Sequence, residues 1–188
     1  GLGSHRYPLG FSGDTFVCWN SLKFQPYFTA LASNAGYTWW SHDIGGHLSG
    51  KGDNELYLRW LQYGVFSPIN RLHSNNKAMS KEPWNYAQVE TIAEDFLRLR
   101  HRLLPYLYTA NVKTATEGVP LVCLTYYYSQ DSRAYDKKWR NQYYFGAQMY
   151  VCPVTHKGKN GVAKQKFWLP SGVSLDFFTG ERFEGGKE

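Results

Sequence analysis

The chain has 188 residues, with 21 Lys and Arg against 15 Asp and Glu, which gives a formal net charge of +6. This length excludes a complete eight-stranded α/β barrel, which needs roughly 250 residues. A basic balance can indicate nucleic-acid binding. Here the cations are scattered, with mild clusters at residues 137–140 and 157–166, as on solvated loops. We therefore expect no nucleic-acid partner, and no steep salt dependence of binding.

Aromatic residues make up 18% of the chain, with seven Trp and fifteen Tyr. Aromatic faces bind the apolar faces of sugar rings, so this composition leans toward a carbohydrate ligand. The three cysteines, Cys18, Cys123 and Cys152, are widely spaced and odd in number, so they indicate neither a disulfide framework nor a metal site. Free thiols favour a reducing compartment, and we expect a cytoplasmic location. No apolar run is long enough to span a bilayer, so we expect no membrane partner.

The first two thirds of the chain alternate between strand and helix patterns. Short apolar runs predict strands, and apolar residues at helical spacing predict helices between them. Pro26 inside the first helix predicts a kink or two helical pieces, and Asp53 is placed to cap the second. The predicted elements are a strand at 9–12, a helix at 19–32, a strand at 37–41, a helix at 54–65, a strand at 67–72 and one long helix at 92–107. This order is typical of βα units with parallel strands.

The pattern changes near residue 118. Short aromatic and β-branched runs follow, at residues 121–128, 148–154, 166–169 and 174–178, separated by Gly and Pro. These runs predict the start of an antiparallel β-sandwich.

Three polar residues come directly after the predicted parallel strands: Asp14, Asp43 and His73. The carboxyl ends of parallel strands meet at one edge, which is the catalytic face of an α/β barrel. We therefore expect the three side chains to share a site. Gly45 and Gly46, next to Asp43, allow a tight loop and a close approach of the backbone to a ligand.

Each of these residues also has a purely structural interpretation. Asp14 precedes a predicted helix and, from the residues alone, is better read as its N-cap than as a catalytic acid. Asp43 is equally suited to bonding loop amides, and a lone histidine such as His73 is more often structural. Arg71 is expected to form an ion pair. The spacing of His42 and His47 fits no common zinc motif, so we expect no metal site.

Three segments resemble, in motif and order, the second half of the catalytic barrel of glycoside hydrolase family 31. They are Arg6-Tyr7-Pro8-Leu9-Gly10-Phe11-Ser12-Gly13-Asp14, Trp39-Trp40-Ser41-His42-Asp43-Ile44-Gly45-Gly46 and Asn70-Arg71-Leu72-His73. The resemblance implies an α/β fold. Residues 1–118 would form the C-terminal part of a (β/α)8 barrel, and residues 119–188 part of an antiparallel β-sandwich domain.

The resemblance also implies roles. Members of the family are retaining α-glycosidases that use two aspartates and no metal or other cofactor. Asp14 corresponds to the general acid/base, although the commoner Gly-Asp-Asn is Gly-Asp-Thr here. Asp43 and His73 correspond to residues that bind the first sugar. Phe11 and Trp40 are candidate platforms for sugar rings, although strand aromatics are usually core and alternation lets only one of the adjacent Trp39 and Trp40 face a pocket.

The family's nucleophile lies in a Trp-x-Asp-Met-Asn-Glu-like segment, which this chain lacks. We therefore expect the N-terminal half of the barrel as a partner, and an inactive isolated chain. The resemblance favours an α-glucosidase that hydrolyses terminal α-linked glucose. Alternatives are α-xylosidase or α-galactosidase specificity in the same family, and a non-catalytic carbohydrate-binding module.

Overall fold

The computed structural model describes residues 3, 6, 7, 9–74 and 80–188. The strands in this part of the chain are short. They are β1 (Leu9–Phe11), β2 (Trp39–Ser41), β3 (Asp43–Ile44), β4 (Arg71–Leu72), β5 (Val122–Leu124), β6 (Tyr143–Phe145), β7 (Met149–Val151), β8 (Val173–Leu175) and β9 (Arg182–Glu184). The α-helices are α1 (Trp19–Asn34), α2 (Asn54–Val65), α3 (Glu90–Arg102) and α4 (Leu104–Glu117). Single turns of 3₁₀ helix lie at Pro83–Asn85, Thr125–Tyr127, Ser132–Tyr135 and Lys137–Trp139.

The first four strands pair in parallel. Strand β1 pairs with β2, with Gly10 opposite Trp40, and β3 pairs with β4, with Asp43 opposite Arg71. A single residue, His42, separates β2 from β3. Three successive stretches of the chain therefore lie side by side with their carboxyl ends at one edge, as the order of βα units predicts. The strand predicted at 67–72 is reduced to its last third.

The starts of the first two helices differ in how they are capped. Helix α1 begins at Trp19, its N-cap Cys18 makes no side-chain capping bond, and Pro26 lies within a single continuous helix rather than between two pieces. Helix α2 is capped by Asp53, whose Oδ1 accepts hydrogen bonds from the amides of Glu55 and Leu56 at 2.9 and 3.1 Å. The predicted cap at Asp53 is confirmed.

The prediction of one long helix at 92–107 is wrong. The structure has two helices, α3 and α4, which meet at Leu103. Pro105, in the first turn of α4, has no N–H to donate, and a proline ring clashes with the carbonyl one turn earlier. Leu103 and Leu107 are buried as expected, but Ile92 is 45% exposed. Gly118, with φ +71°, ends α4 where the predicted division of the chain falls.

The second part of the described chain is antiparallel, in agreement with the prediction. Strands β5, β6 and β7 form one sheet, and β8 and β9 form a hairpin. The predicted strand at 166–169 is wrong, since there Leu169 makes only an isolated bridge to Lys187. The strands β6 and β9 were not predicted, because their aromatic and charged residues follow turn-rich segments.

Side chains from helix α3 and strand β6 donate hydrogen bonds to the backbone of the segment that precedes β4. Arg100 donates to the carbonyls of Val65 at 2.8 Å and of Ser67 and Pro68 at 2.7 Å, and burial lowers its pKa to about 10. The Tyr143 hydroxyl donates to the Phe66 carbonyl at 2.7 Å. These bonds tie the two parts of the molecule to the segment that leads to β4. In the described ranges, no helix is long and apolar enough to cross a membrane.

Candidate active site

The structure brings Asp14, Asp43 and His73 together around His47. The Nε2 atom of His47 lies 3.7 Å from Oδ2 of Asp14, and its Nδ1 atom lies 3.4 Å from Oδ2 of Asp43. The His73 ring stacks on the His47 ring, with centroids 4.6 Å apart. One cluster at the carboxyl edge of the parallel strands therefore contains Asp14, Asp43 and His73, which come after β1, β2 and β4. The sequence motifs did not indicate His47 as its centre.

Backbone hydrogen bonds join the loop after β3 to the loop after β1. The amides of His47 and Leu48 both donate to the Thr15 carbonyl, at 2.8 and 2.9 Å. Gly46 makes this approach possible: its φ is +82°, and a Cβ atom there would lie 2.8 Å from the Cα of Val17. The close contact places the His47 ring beside Asp14, which is the neighbour of Thr15.

Asp43 is fully buried and carries unused hydrogen-bonding capacity. Its Oδ1 lies 3.4 Å from Nη1 of Arg71, which is the ion pair predicted for Arg71. Within the described ranges, neither carboxylate oxygen has a hydrogen-bond partner. Burial raises the pKa of Asp43; Arg71, His73 and His47 oppose this shift, and the Asp14 carboxylate adds to it. Buried acceptors normally have hydrogen-bond partners, so the free oxygens of Asp43 can accept hydrogen bonds from hydroxyl groups of a ligand.

Two further side chains border the cluster. The Arg71 guanidinium lies over the ring of Phe11, 5.4 Å from its centroid, and Phe11 is 38% exposed. Phe11 is thus close to the cluster, as predicted. Lys81, which sequence reasoning missed, is buried against Gly45. Burial lowers the pKa of Lys81, while the nearby Asp43 opposes that shift.

Trp40 is not brought together with the other predicted site residues. It is only 8% exposed, lies across Gly10, and packs edge-on against Phe28 of α1 and against Tyr37, with centroids 5.2 and 5.5 Å apart. Alternation along β2 turns its side chain toward the helix, so it contributes to the core and not to a sugar platform in this structure.

Asp14 is not a helix cap. Helix α1 starts five residues later, with Cys18 as its N-cap. The Asp14 side chain is 50% exposed. The carboxyl group is therefore open to an incoming ligand, and the competing structural interpretation of Asp14 is removed.

His42 is a core residue. Its Nδ1 accepts from the Trp60 indole at 3.2 Å, its Nε2 donates to Ser67 Oγ at 3.1 Å, and its ring stacks on Tyr63. Burial lowers the pKa of His42 to about 3, so the ring is neutral at physiological pH. Both ring nitrogens are used, which leaves His42 no role in the cluster.

Asp43, His47 and His73 also form the one group of potential metal ligands in the described part of the chain, with ligand atoms within 4.8 Å of one another. The cationic side chains of Arg71 and Lys81 lie beside Asp43 and already balance its charge. Ligand atoms on a zinc ion at about 2.0 Å would also need to come closer together. The arrangement therefore suits a neutral ligand with several hydroxyl groups better than a cation.

Comparison with known proteins gives consistent results. The family described as "Glycosyl hydrolases family 31 TIM-barrel domain" matches residues 1–110, and "Glycosyl hydrolase family 31 C-terminal domain" matches residues 118–188. An alpha-xylosidase of Saccharolobus solfataricus is 32% identical over 186 residues, which cover 95% of this chain and 24% of the relative. Alpha-glucosidase 2 of Bacillus thermoamyloliquefaciens is 28% identical, over 98% of this chain and 23% of the relative.

A solved structure shows the same fold. The cycloalternan-degrading enzyme of Trueperella pyogenes superposes with a TM-score of 0.86 and 26% identity, over 95% of this chain and 26% of that one. The chain thus spans about a quarter of the length of the relatives that it matches. Both family descriptions, which together account for most of the 188 residues, agree with the resemblance carried by the sequence motifs. The chain belongs to glycosyl hydrolase family 31.

Proposed function

We propose that this chain is the acid/base-bearing part of a retaining α-glycosidase. One observation carries the proposal: a half-exposed carboxyl, Asp14, and a fully buried carboxyl with unbonded oxygens, Asp43, both lie beside His47 at the carboxyl edge of parallel strands. An open acid beside a buried acceptor is an arrangement that can protonate one part of a sugar while it holds another.

In this proposal Asp14 acts twice. As a carboxylic acid it gives its proton to the glycosidic oxygen while the bond between that oxygen and the anomeric carbon breaks, and the anomeric carbon bonds to a carboxylate nucleophile. As a carboxylate it then takes a proton from the water that releases the sugar. Asp43 accepts hydrogen bonds from hydroxyls of the non-reducing sugar, the one that bonds to the nucleophile, and His73 contacts the same ring. Phe11 borders this pocket.

The nucleophile is proposed to come from outside these 188 residues. Retaining enzymes need two carboxyl groups about 5 Å apart. Asp43 is unsuited to the second role because it is buried and paired with Arg71. The proposal therefore predicts that the isolated chain is inactive. Hydrolysis of an α-glucoside by the 188-residue chain, lost on Asp14→Asn, would contradict it.

Among substrates, we propose terminal α-linked glucose, with α-xyloside as the principal alternative. Both activities appear in the names of relatives, an alpha-glucosidase and an alpha-xylosidase. The two sugars differ by the hydroxymethyl group at C5, so matched glucoside and xyloside substrates separate them. A kcat/KM that is higher for the glucoside supports our assignment, and the reverse order supports the α-xylosidase.

The decisive experiment uses the complete polypeptide that contains these residues. Asp14→Asn removes the transferable proton with little change in shape, so hydrolysis of an unactivated α-glycoside should fall by roughly 10²- to 10⁴-fold. Asp95→Asn, an exposed carboxyl on α3, is the matched control and should have no effect. Unchanged hydrolysis in Asp14→Asn would refute the acid/base role. Sugar binding without activity in the unaltered polypeptide would instead indicate a carbohydrate-binding module.

A further inference from the structure

We propose that His47 is a positioning residue that holds the Asp14 carboxyl in place by linking it to the buried Asp43. This inference rests on the proposed function of Asp14 as general acid/base. It assigns to His47 a task that neither the motifs nor the names of the relatives assign to it.

The geometry of the imidazole carries the inference. Its two nitrogens face two different carboxyl groups, Asp14 at 3.7 Å and Asp43 at 3.4 Å. These distances exceed those of hydrogen bonds, and Nδ1 of His47 has no hydrogen-bond partner in the described residues. Catalytic hydrogen bonds are often long without substrate and shorten when it binds. A shift of a few tenths of an ångström would complete the link.

The His47 side chain is itself firmly held. It is only 13% exposed, its backbone amide is bonded to the Thr15 carbonyl, and the His73 ring covers one face. Asp43, on its far side, is fully buried in β3. The rigidly held His47 ring therefore lies next to the half-exposed carboxyl group of Asp14.

Asp14 needs such a support. It follows Gly13, whose φ is +80°, in a loop between β1 and α1. Of the basic side chains in the described ranges, His47 is the one that comes within 4.0 Å of it. Fixing a catalytic group in its reactive orientation contributes strongly to rate, and a misplacement of about 1 Å can cost about 100-fold.

The arrangement is compatible with Asp14 acting as an acid. A neutral imidazole has one N–H and one lone pair. It can donate from Nδ1 to the Asp43 carboxylate and accept at Nε2 from the protonated Asp14 carboxyl. Among the described residues, Arg71 and Lys81 lie beside Asp43, and the titratable ring of His73 stacks on His47.

The test compares two substrates in the complete polypeptide. The leaving group of an activated aryl glycoside departs with little protonation of the glycosidic oxygen, whereas that of a disaccharide depends on this protonation. His47→Phe should lower kcat/KM for the disaccharide by about 10- to 100-fold and that for the aryl glycoside much less. His47→Gln, whose amide N–H can donate to Asp43 and whose amide oxygen can accept from the Asp14 carboxyl, should recover most of the loss. His156→Phe, at an exposed histidine, is the control.

A double-mutant cycle separates this inference from the proposed function. In an Asp14→Asn background, His47→Phe should have no further effect on the disaccharide, because the group that it positions is absent. Equal losses on both substrates, or additive losses in the cycle, would show that His47 does not act through Asp14. If Asp14→Asn itself behaves like the unaltered enzyme, the proposed function fails first.

Circular dichroism checks the fold of each variant. Should His47→Phe fail to fold, His47→Leu takes its place, with His47→Gln still as the variant that recovers the loss. A loss confined to the disaccharide and absent in the Asp14→Asn background supports the inference, and an equal loss on both substrates or no loss on either overturns it.

Discussion

Two adjacent residues, His42 and Asp43, are both fully buried but lie in very different surroundings. The imidazole of His42 uses both nitrogens, with Trp60 and Ser67 as partners. The carboxylate of Asp43 has charged neighbours but no hydrogen-bond partner in the part of the chain that the structure describes. Side chains of successive residues in an extended segment point in opposite directions, so His42 contacts the core and Asp43 lies in the cluster at the strand edge.

This difference separates structural polar groups from functional ones. Buried polar groups that only support the fold are hydrogen-bonded, and each exception calls for an explanation. At Asp43 the explanation that we propose is that the carboxylate accepts hydrogen bonds from sugar hydroxyls. Substitutions on the two sides should therefore have opposite consequences, with stability lost at His42 and activity lost at Asp43.

Between these two residues, the larger effect on activity is expected for Asp43→Asn in the complete polypeptide. Removing the charge weakens the hydrogen bonds to sugar hydroxyls, and kcat/KM should fall by roughly 10²- to 10³-fold, as for other truncated buried charge pairs. The free energy of unfolding should stay the same or rise, because burial of an unbonded carboxylate is costly. Kinetics and urea denaturation on one preparation measure both. A large loss of stability would show that Asp43 is structural.

His42→Phe should have the reverse effect. It preserves the stacking on Tyr63 but leaves the Trp60 indole N–H without an acceptor and removes a donor to Ser67. The free energy of unfolding should fall by about 2–4 kcal/mol, since each buried group left unbonded costs about 1–3 kcal/mol. Urea denaturation measures the change. An unchanged midpoint would contradict the structural role assigned to His42.

The pH dependence of stability provides a milder form of the same test. Burial lowers the pKa of His42 to about 3, whereas the unfolded chain binds this proton near the ordinary histidine value of about 6.5. Between these values the unfolded state holds the extra proton, so stability falls as the pH falls below about 6.5. The loss through this group from pH 7 to pH 5 is about 2 kcal/mol.

Asp43 acts in the opposite direction, because burial raises its pKa and the folded state takes up its proton first. Its contribution is present in both chains when His42→Phe is compared with the unaltered protein at the two pH values. The difference in pH dependence therefore isolates His42. An equally steep loss in both proteins would exclude it as the source.

The smallest difference is expected between two glycine variants, one of which lies in the loop that carries His47. Gly46→Ala places a Cβ atom against the Val17 backbone at a φ of +82°. Gly161→Ala is the matched control, because it has a similar φ of +77° with open space around it. Both variants should lose about 1 kcal/mol through backbone strain, and Gly46→Ala about 1–2 kcal/mol more through crowding. Equal losses in urea denaturation would show that the loop contact is not tight.

Sequence reasoning predicted the parallel βα order, the helix cap at Asp53 and the grouping of Asp14, Asp43 and His73. These predictions depend on local residue patterns and on the rule that the carboxyl ends of parallel strands meet at one edge. It failed where tertiary packing decides which way a side chain points. Trp40 is the example, because its position in β2 allows the side chain to face either the core or the pocket. His47 and Lys81 were missed because their contacts arise from loop crossings. A histidine four residues after Asp43, beyond two glycines, was the available signal.

The most direct test of the account is a crystal structure of the Asp14→Asn complete polypeptide with an α-linked glucose disaccharide bound. We predict hydroxyls of the non-reducing sugar within hydrogen-bonding distance of Asp43 and His73, and the glycosidic oxygen beside residue 14. A disaccharide bound elsewhere, with the oxygens of Asp43 still unbonded, would contradict the assignment of this cluster as the sugar pocket.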